Sequence, residues 1–153
     1  MDFFSKKKTL RVRVAGVITN ERKELLLLQQ SKKGAAKGNW LLPGGGLEYG
    51  EYATDALARE LKEELGLEAK DFHLLFVSES IDPKGQRHIL QLVFKVQVQK
   101  ANPVLNPKEK AITGFGFFSK EEIKSMDLRP DTRAILGKAK LPSSEYFITE
   151  WIE

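Results

Sequence analysis

Alternating apolar and polar positions dominate the first third of the chain. Segment 10–19 (LRVRVAGVIT) alternates at first, then runs apolar and is rich in β-branched residues, which predicts a strand entering the interior. A polar turn at 20–23 separates it from segment 24–29 (ELLLLQ), which we interpret as the second strand of a hairpin. A basic loop at 31–39 and a short strand at 40–42 follow, and Pro43–Gly46 then predicts a turn.

A helical period replaces the alternation after residue 51. From Tyr52 to Leu65 the apolar residues recur every three or four positions, and Gly66 supplies a helix stop. Further strands are predicted at 73–80, 88–99 and 114–118, and a capping-box sequence at 119–122 and residues 131–138 predict two short helices. Strands around one long helix indicate an α/β or α+β domain, built as an α/β/α sandwich.

Length and composition indicate an ordinary globular protein. The chain has 153 residues, of which 41% are hydrophobic and 30% charged, so we expect one domain over residues 1–153. No apolar run approaches the roughly 18 residues of a membrane span. Residues 1–8 lack the apolar core of a secretory signal. We therefore expect a cytoplasmic protein without a membrane partner.

The residue types limit the chemistry of any metal site. The chain has no cysteine and only two histidines, His73 and His88, so a bound metal would need mainly oxygen ligands and would be a hard cation. Segment 48–68 holds seven acidic residues against Arg59 and Lys62, a local charge of −5 in a chain of net charge +4. Such a patch suits a cation and then an anionic substrate, although a solvated helix face would show the same charges.

The position of the glutamates on the predicted helix separates these two interpretations. The apolar stripe of the helix consists of Ala53, Leu57, Leu61 and Leu65. Glu64 falls inside this stripe and Glu60 at its edge, whereas Glu63 lies further round. Partly buried carboxylates need a positive charge nearby, and Lys62 lies on the far side of the helix. Divalent cations would supply that charge, whereas three solvated glutamates would account for Glu63 but poorly for Glu64.

The spacing around this helix is more specific than its period. From Gly45 to Leu67 the sequence reads G-x5-E-x7-R-E-U-x-E-E-x-G-U, where U is apolar, and all nine constrained positions match the Nudix box. The chain resembles the Nudix hydrolases from about Leu10 to Ile123, and the tail at 124–153 adds nothing to the resemblance. It implies an α/β/α sandwich with a mixed sheet. It also implies Mg²⁺- or Mn²⁺-dependent hydrolysis of a nucleoside diphosphate linked to another group.

The resemblance also implies a role for each residue of the box. The metal ligands would be Glu60, Glu63, Glu64 and a backbone carbonyl of the Gly44–Gly45 turn. Arg59 would orient these carboxylates through a salt bridge with Glu51 or Glu63, and Glu60 or Glu63 would orient or deprotonate the attacking water. The structural positions would be Gly45, Glu51, Leu61, Gly66 and Leu67. The chain departs from the family at Tyr52, where relatives often have a Ser or Thr helix cap, and Glu109 is the nearest candidate for a further acidic residue.

The box leaves the substrate open. Many hydrolases of ADP-ribose and nucleoside diphosphate sugars carry a proline sixteen residues after the box, and Pro83 occupies that position. This favours a nucleotide sugar, although the same proline suits a simple turn. The candidate substrate contacts are Arg11, Arg13, Arg87 and His88. The candidate stacking partners for a base are Trp40, Tyr49 and Tyr52.

Three other functions compete with this interpretation. A nucleoside triphosphate pyrophosphatase would use the same box, and a nucleotide sensor without turnover would be expected to carry a degenerate box. A structural Ca²⁺-binding protein would need a D-x-[DN]-x-[DN]-G loop, which does not occur. The basic runs at 6–8 and 32–33 lack interleaved aromatic residues, so no nucleic-acid partner is expected. The oligomeric state stays open, with a homodimer as one candidate.

Overall fold

The computed structural model describes residues 8–31, 38–99 and 102–152. Lys6 and Lys7 of the first basic run, the second run at 32–33 and most of the loop predicted at 31–39 lie outside these residues. The described strands are β1 (Thr9–Val17), β2 (Leu25–Gln30), β3 (Asn39–Leu41), β4 (Gly44–Gly46), β5 (Ala69–Ile81), β6 (Arg87–Val98), β7 (Ile112–Phe118) and β8 (Glu145–Ile148). The helices are α1 (Ala53–Leu65), α2 (Lys120–Ile123) and α3 (Arg133–Leu136). None of these helices has both the length and the apolar character needed to cross a membrane.

The strands form two sheets with the long helix packed against them. The larger sheet has the order β4-β1-β6-β5-β8, and the smaller one has the order β3-β2-β7. Strand β1 runs parallel to β6, whereas β6 and β5 are antiparallel, so the larger sheet is mixed. This arrangement confirms the predicted α+β class with a mixed sheet.

The predicted hairpin between β1 and β2 forms only at its turn. The two strands belong to different sheets, and a bridge between Thr19 and Leu25 with two adjacent backbone hydrogen bonds joins them. Residues 25–28 are all buried, and alternate leucines belong to two separate core clusters. A strand covered on both faces needs a layer on each side, which a hairpin with one solvated face does not provide.

Helix α1 follows the prediction closely. It begins at Ala53 after Tyr52, whose side chain makes no capping hydrogen bond, and it ends at Gly66 in the left-handed conformation with φ of 65°. The side chains of Leu57, Leu61 and Leu65 are fully buried, in one cluster with residues from β1, β2 and β6. This packing fixes the rotation of the helix and therefore the direction of its glutamates.

The glycine segment after Pro43 forms a strand where the sequence predicts a turn. Gly44, Gly45 and Gly46 pair antiparallel with residues 13–15 of β1. The two backbones approach so closely that a Cβ atom on Gly44 would lie 1.9 Å from the Val14 carbonyl oxygen. Only glycine permits this close approach. Strand β4 also lies directly beside α1.

The tail contributes structure that the sequence does not reveal. Strand β8 pairs parallel with β5, and the Phe147 ring meets the Phe76 ring edge-on, with centroids 5.9 Å apart. The helix predicted at 131–138 shortens to α3, whereas the capping box of α2 at Ser119 forms as predicted. Residues 149–152 continue beyond β8, and the Trp151 ring lies against Arg87 at the start of β6.

Candidate active site

The glycine strand β4 and helix α1 hold two carboxylates against each other. The Glu64 side chain is buried, and its Oε1 atom accepts a hydrogen bond from the Gly44 backbone N–H at 3.1 Å. A Cβ atom on Gly45 would lie 2.4 Å from the carboxyl carbon of Glu60. The Glu60 carboxylate therefore lies directly on the backbone of β4, and only glycine leaves room for it.

Arg59 links the remaining acidic side chains of the motif. Its guanidinium donates hydrogen bonds to Glu51 at 2.8 Å, to Glu60 at 3.0 Å and to Glu63 at 3.4 Å. The hydrogen bond from Arg59 holds the pKa of Glu51 below its usual value. The Glu63 side chain is the most exposed of these acids, at 52%. Arg59 thus contacts both of its anticipated partners and Glu60 as well.

Glu64 faces a positive side chain that sequence analysis assigned to the substrate. Arg13 is only 5% exposed and donates hydrogen bonds to the Gln91 side chain at 2.7 Å and to the Leu42 carbonyl at 2.6 Å. Burial raises the pKa of Glu64 to about 8, and the nearby charge of Arg13 opposes this shift. Arg13 is therefore a buried counter-charge, which the sequence analysis missed.

The nearby arginines compensate only part of the negative charge that the carboxylates of this site would carry when ionised. Burial also raises the pKa of Glu60, even though Arg59 favours its ionised form. The negative charge of Glu109 raises the pKa of both Glu60 and Glu64, so Glu109 lies close enough to belong to the site. A group of carboxylates that resists ionisation beside one buried arginine is a site that favours cations.

These residues line one large cavity. Its volume is about 660 Å³, within the range of small-molecule sites. Of the predicted site residues, the cavity wall includes Arg11, Arg13, Gly44, Gly45, Arg59, Glu60, Glu63, Glu64 and Arg87. The tail, which carried no signal in the sequence, supplies further wall residues: Arg129, Pro130, Glu150, Trp151 and Ile152.

The structure separates several other candidates from this cavity. His88 alternates with Arg87 and Ile89 along β6, and its ring pairs instead with the Glu79 carboxylate at 2.6 Å. The Trp40 ring packs on Phe118, with centroids 4.8 Å apart. The fully exposed Tyr49, the largely exposed Tyr52 and Pro83 of the β5–β6 turn are not part of its wall.

A metal-free sample is expected to lose stability as the pH rises from about 5 to 8. Glu64 has a pKa of about 8 in the folded protein against 4.5 in the unfolded chain, so the folded state retains a proton that the unfolded chain has released. The stability gained from that proton is complete below pH 4.5 and disappears as the pH rises through 8. One pKa unit corresponds to about 1.4 kcal/mol, and 1 kcal/mol to roughly 2–4 °C in Tm, so we expect a decrease of several degrees.

The matched variant for this measurement is Glu64→Gln, which keeps the shape of the side chain but does not titrate. In chelator, its Tm should decrease less than that of the wild type between pH 5 and 8. Parallel pH profiles of the two proteins would show that Glu64 ionises normally in the fold.

Comparisons with known proteins agree with this geometry. The NUDIX domain family model matches residues 9–138. Over 87 residues the chain is 40% identical to the ADP-ribose pyrophosphatase of Methanocaldococcus jannaschii, a match that covers 57% of this chain and only 50% of that protein. Over 138 residues it is 29% identical to the nucleoside triphosphatase NudI of Klebsiella pneumoniae, which covers 86% of this chain and 97% of that one.

A solved structure extends the agreement to the fold. The MutT NUDIX hydrolase from Burkholderia pseudomallei superposes with a TM-score of 0.73 at 25% identity, covering 87% of this chain and 100% of that one. The range matched by the family model includes the complete motif from Gly45 to Leu67 and the acidic residues around it. The chain therefore belongs to the Nudix hydrolase family.

Proposed function

We propose that this hydrolase cleaves the pyrophosphate bond of a nucleoside diphosphate linked to a sugar, such as ADP-ribose, releasing a nucleoside monophosphate and a sugar phosphate. The observation that carries the proposal is the extent of the cavity, which continues from the glutamates of α1 past Arg11 to Arg87 and Trp151. A substrate with an organic group on each side of the diphosphate needs such space at both ends. The similarity to an ADP-ribose pyrophosphatase supports the same choice.

The residues present fit a divalent metal ion, which Nudix hydrolases generally use. The donors are all oxygens, Glu64 is buried with a raised pKa, and the Glu60 carboxylate occupies the space that a Cβ on Gly45 would fill. We assign Mg²⁺ or Mn²⁺ to Glu60, Glu63, Glu64 and the Gly44 carbonyl. In the described part of the chain, no group of three acidic or histidine side chains is arranged as a formed metal site. Bound divalent ions would neutralise the diphosphate oxygens and acidify the attacking water.

The protein's own side chains divide the remaining tasks. Arg59 holds Glu60 and Glu63 in fixed positions, and one of these two carboxylates orients or deprotonates the attacking water. Arg11 lies on the cavity wall near Gly46 and is the candidate contact for the substrate phosphates. Arg13 directs its hydrogen bonds to Gln91 and Leu42. Its positive charge therefore acts on the nearby Glu64 carboxyl and not directly on the substrate.

A substrate panel tests the proposal. With metal present, ADP-ribose or another nucleoside diphosphate sugar should give a kcat/KM at least tenfold above that of any nucleoside triphosphate. The products should be a nucleoside monophosphate and a sugar phosphate. A triphosphate such as dGTP that exceeds every nucleotide sugar tenfold would contradict the proposal.

A nucleoside triphosphate pyrophosphatase is the second candidate. Arg11, Arg87 and Arg129 line the same cavity, so basic contacts for an additional phosphate are available. The similarity to nucleoside triphosphatase NudI extends over most of both chains. The products distinguish the two functions, because a triphosphate would release pyrophosphate and a nucleotide sugar would release a sugar phosphate.

A further inference from the structure

Arg87 is held against an aromatic ring at the end of the cavity remote from the glycine strand. The central carbon of its guanidinium lies 4.7 Å from the centroid of the Trp151 ring, and both residues line the cavity. Its Nε atom lies 3.6 Å from the carboxylate of Asp82, which is almost fully buried. The Arg87 side chain, which lines the cavity, nevertheless stays 54% exposed beside the indole.

Arg87 lies away from the phosphate end of the site, by which we mean the part of the cavity beside Glu60, Glu63 and Glu64. Gln91, which contacts the counter-charge Arg13, lies four residues further along β6. At about 3.3 Å per residue, the Cα atoms of Arg87 and Gln91 are roughly 13 Å apart. A diphosphate beside Glu64 would therefore have one of its two organic groups, rather than its phosphates, near Arg87.

The surroundings of Arg87 suit a flat ligand. Ile89, Pro130 and Ile152 add apolar surface to the same wall. A guanidinium is planar and weakly hydrated, and it stacks on aromatic faces, so the pair with Trp151 presents a flat and extended surface. Resting on the proposed function, we infer that Arg87 and Trp151 form the platform on which the nucleobase of the substrate stacks, and that they determine binding of the base rather than of the phosphates.

Inhibition constants for ligands with and without a base test this inference. The wild type should bind the best of AMP, GMP, CMP and UMP more tightly than ribose 5-phosphate. Trp151→Ala and Arg87→Met should each weaken that nucleotide about tenfold, the effect expected for a lost stacking contact, and change ribose 5-phosphate less than twofold. An unchanged constant for ribose 5-phosphate also shows that the variant remains folded around its phosphate end.

Two further variants distinguish stacking from other roles. Trp151→Phe keeps an aromatic ring and should retain most of the nucleotide affinity. Ile148→Ala alters an exposed side chain of β8 outside the cavity wall and should change neither constant. If Trp151→Ala and Arg87→Met weaken both ligands equally, Arg87 is a phosphate contact, and the platform is refuted. Unchanged nucleotide affinity in both variants refutes it as well.

A binding measurement separates failure of this inference from failure of the proposed function. A nucleoside monophosphate should quench tryptophan fluorescence in the wild type more than in Trp151→Phe, whereas ribose 5-phosphate should quench both equally. This titration requires no turnover, so an inactive substrate panel together with this difference would refute the proposed function alone. The absence of any Trp151-dependent quenching by all four nucleotides would refute the platform.

Discussion

Glu64→Gln is expected to lower kcat by about 10³-fold while the protein stays folded. The Glu64 carboxylate is buried beside β4, and glutamine keeps its volume and an oxygen to accept the Gly44 hydrogen bond. What is lost is the negative charge that the bound cation requires, and several kcal/mol of transition-state stabilisation corresponds to this factor. Steady-state kinetics on the preferred nucleotide, with Tm as the check on folding, would measure the effect. Glu60→Gln should have a similar effect.

The matched control is Lys62→Gln on the same helix. It also replaces a charged group by an amide, but the Lys62 side chain is 72% exposed and its nearest acidic partner, Glu68, is 4.0 Å away. We expect kcat to change less than twofold. Comparable losses for Glu64→Gln and Lys62→Gln would mean that the helix does not present Glu64 to the reacting groups.

The part of the site on α1 could be predicted because one helix contains both the core stripe and the acidic residues. The helical period places Glu64 between Ala53 and Leu57, so any sheet that buries this side of the helix also buries the carboxylate. The spacing of the motif then identified Arg59 as a partner of the glutamates. Both conclusions depend on local geometry, which the sequence determines directly.

The partner of Glu64 could not be predicted in this way. Alternation along β1 places Arg11 and Arg13 on one side of the strand, but the sequence does not reveal which neighbour that side meets. The contact depends on β4 pairing with β1 beside the helix, and that pairing arises from a glycine segment that looks like a turn. The packing of distant strands therefore places Arg13, a candidate substrate contact, beside Glu64 with its hydrogen bonds directed to Gln91 and Leu42.

The far wall of the cavity was missed for a related reason. Strand β8 has only four residues, and its pairing with β5 spans nearly seventy positions of the chain. A segment of four residues is too short for an alternating pattern to distinguish an edge strand from a loop. As a result, Trp151, which follows this strand and meets Arg87, had no visible role in the sequence.

Removal of divalent metal is expected to abolish activity completely. Burial raises the pKa of both Glu60 and Glu64 in the metal-free site, and whether protonated or ionised these carboxyls offer a diphosphate no positive charge. Of the positive side chains nearest to them, Arg59 is bound to three glutamates and Arg13 to neutral partners. Neither is free to neutralise the substrate. Activity should disappear in EDTA and return on addition of Mg²⁺ or Mn²⁺.

Removal of the metal should also lower the Tm of the protein, which can be measured without any substrate. An ion that binds only the folded state stabilises it by RT ln(1 + [L]/Kd), so Tm should rise as Mg²⁺ is added. The rise should be larger at pH 8 than at pH 6, because the ion binds ionised Glu64 and competes with a proton that the folded protein holds up to about pH 8. Glu64→Gln should show a smaller rise with little dependence on pH, and Lys62→Gln should behave as the wild type does. Full activity after metal stripping, together with a Tm insensitive to Mg²⁺ in the wild type, would mean that the buried carboxylates serve the fold alone.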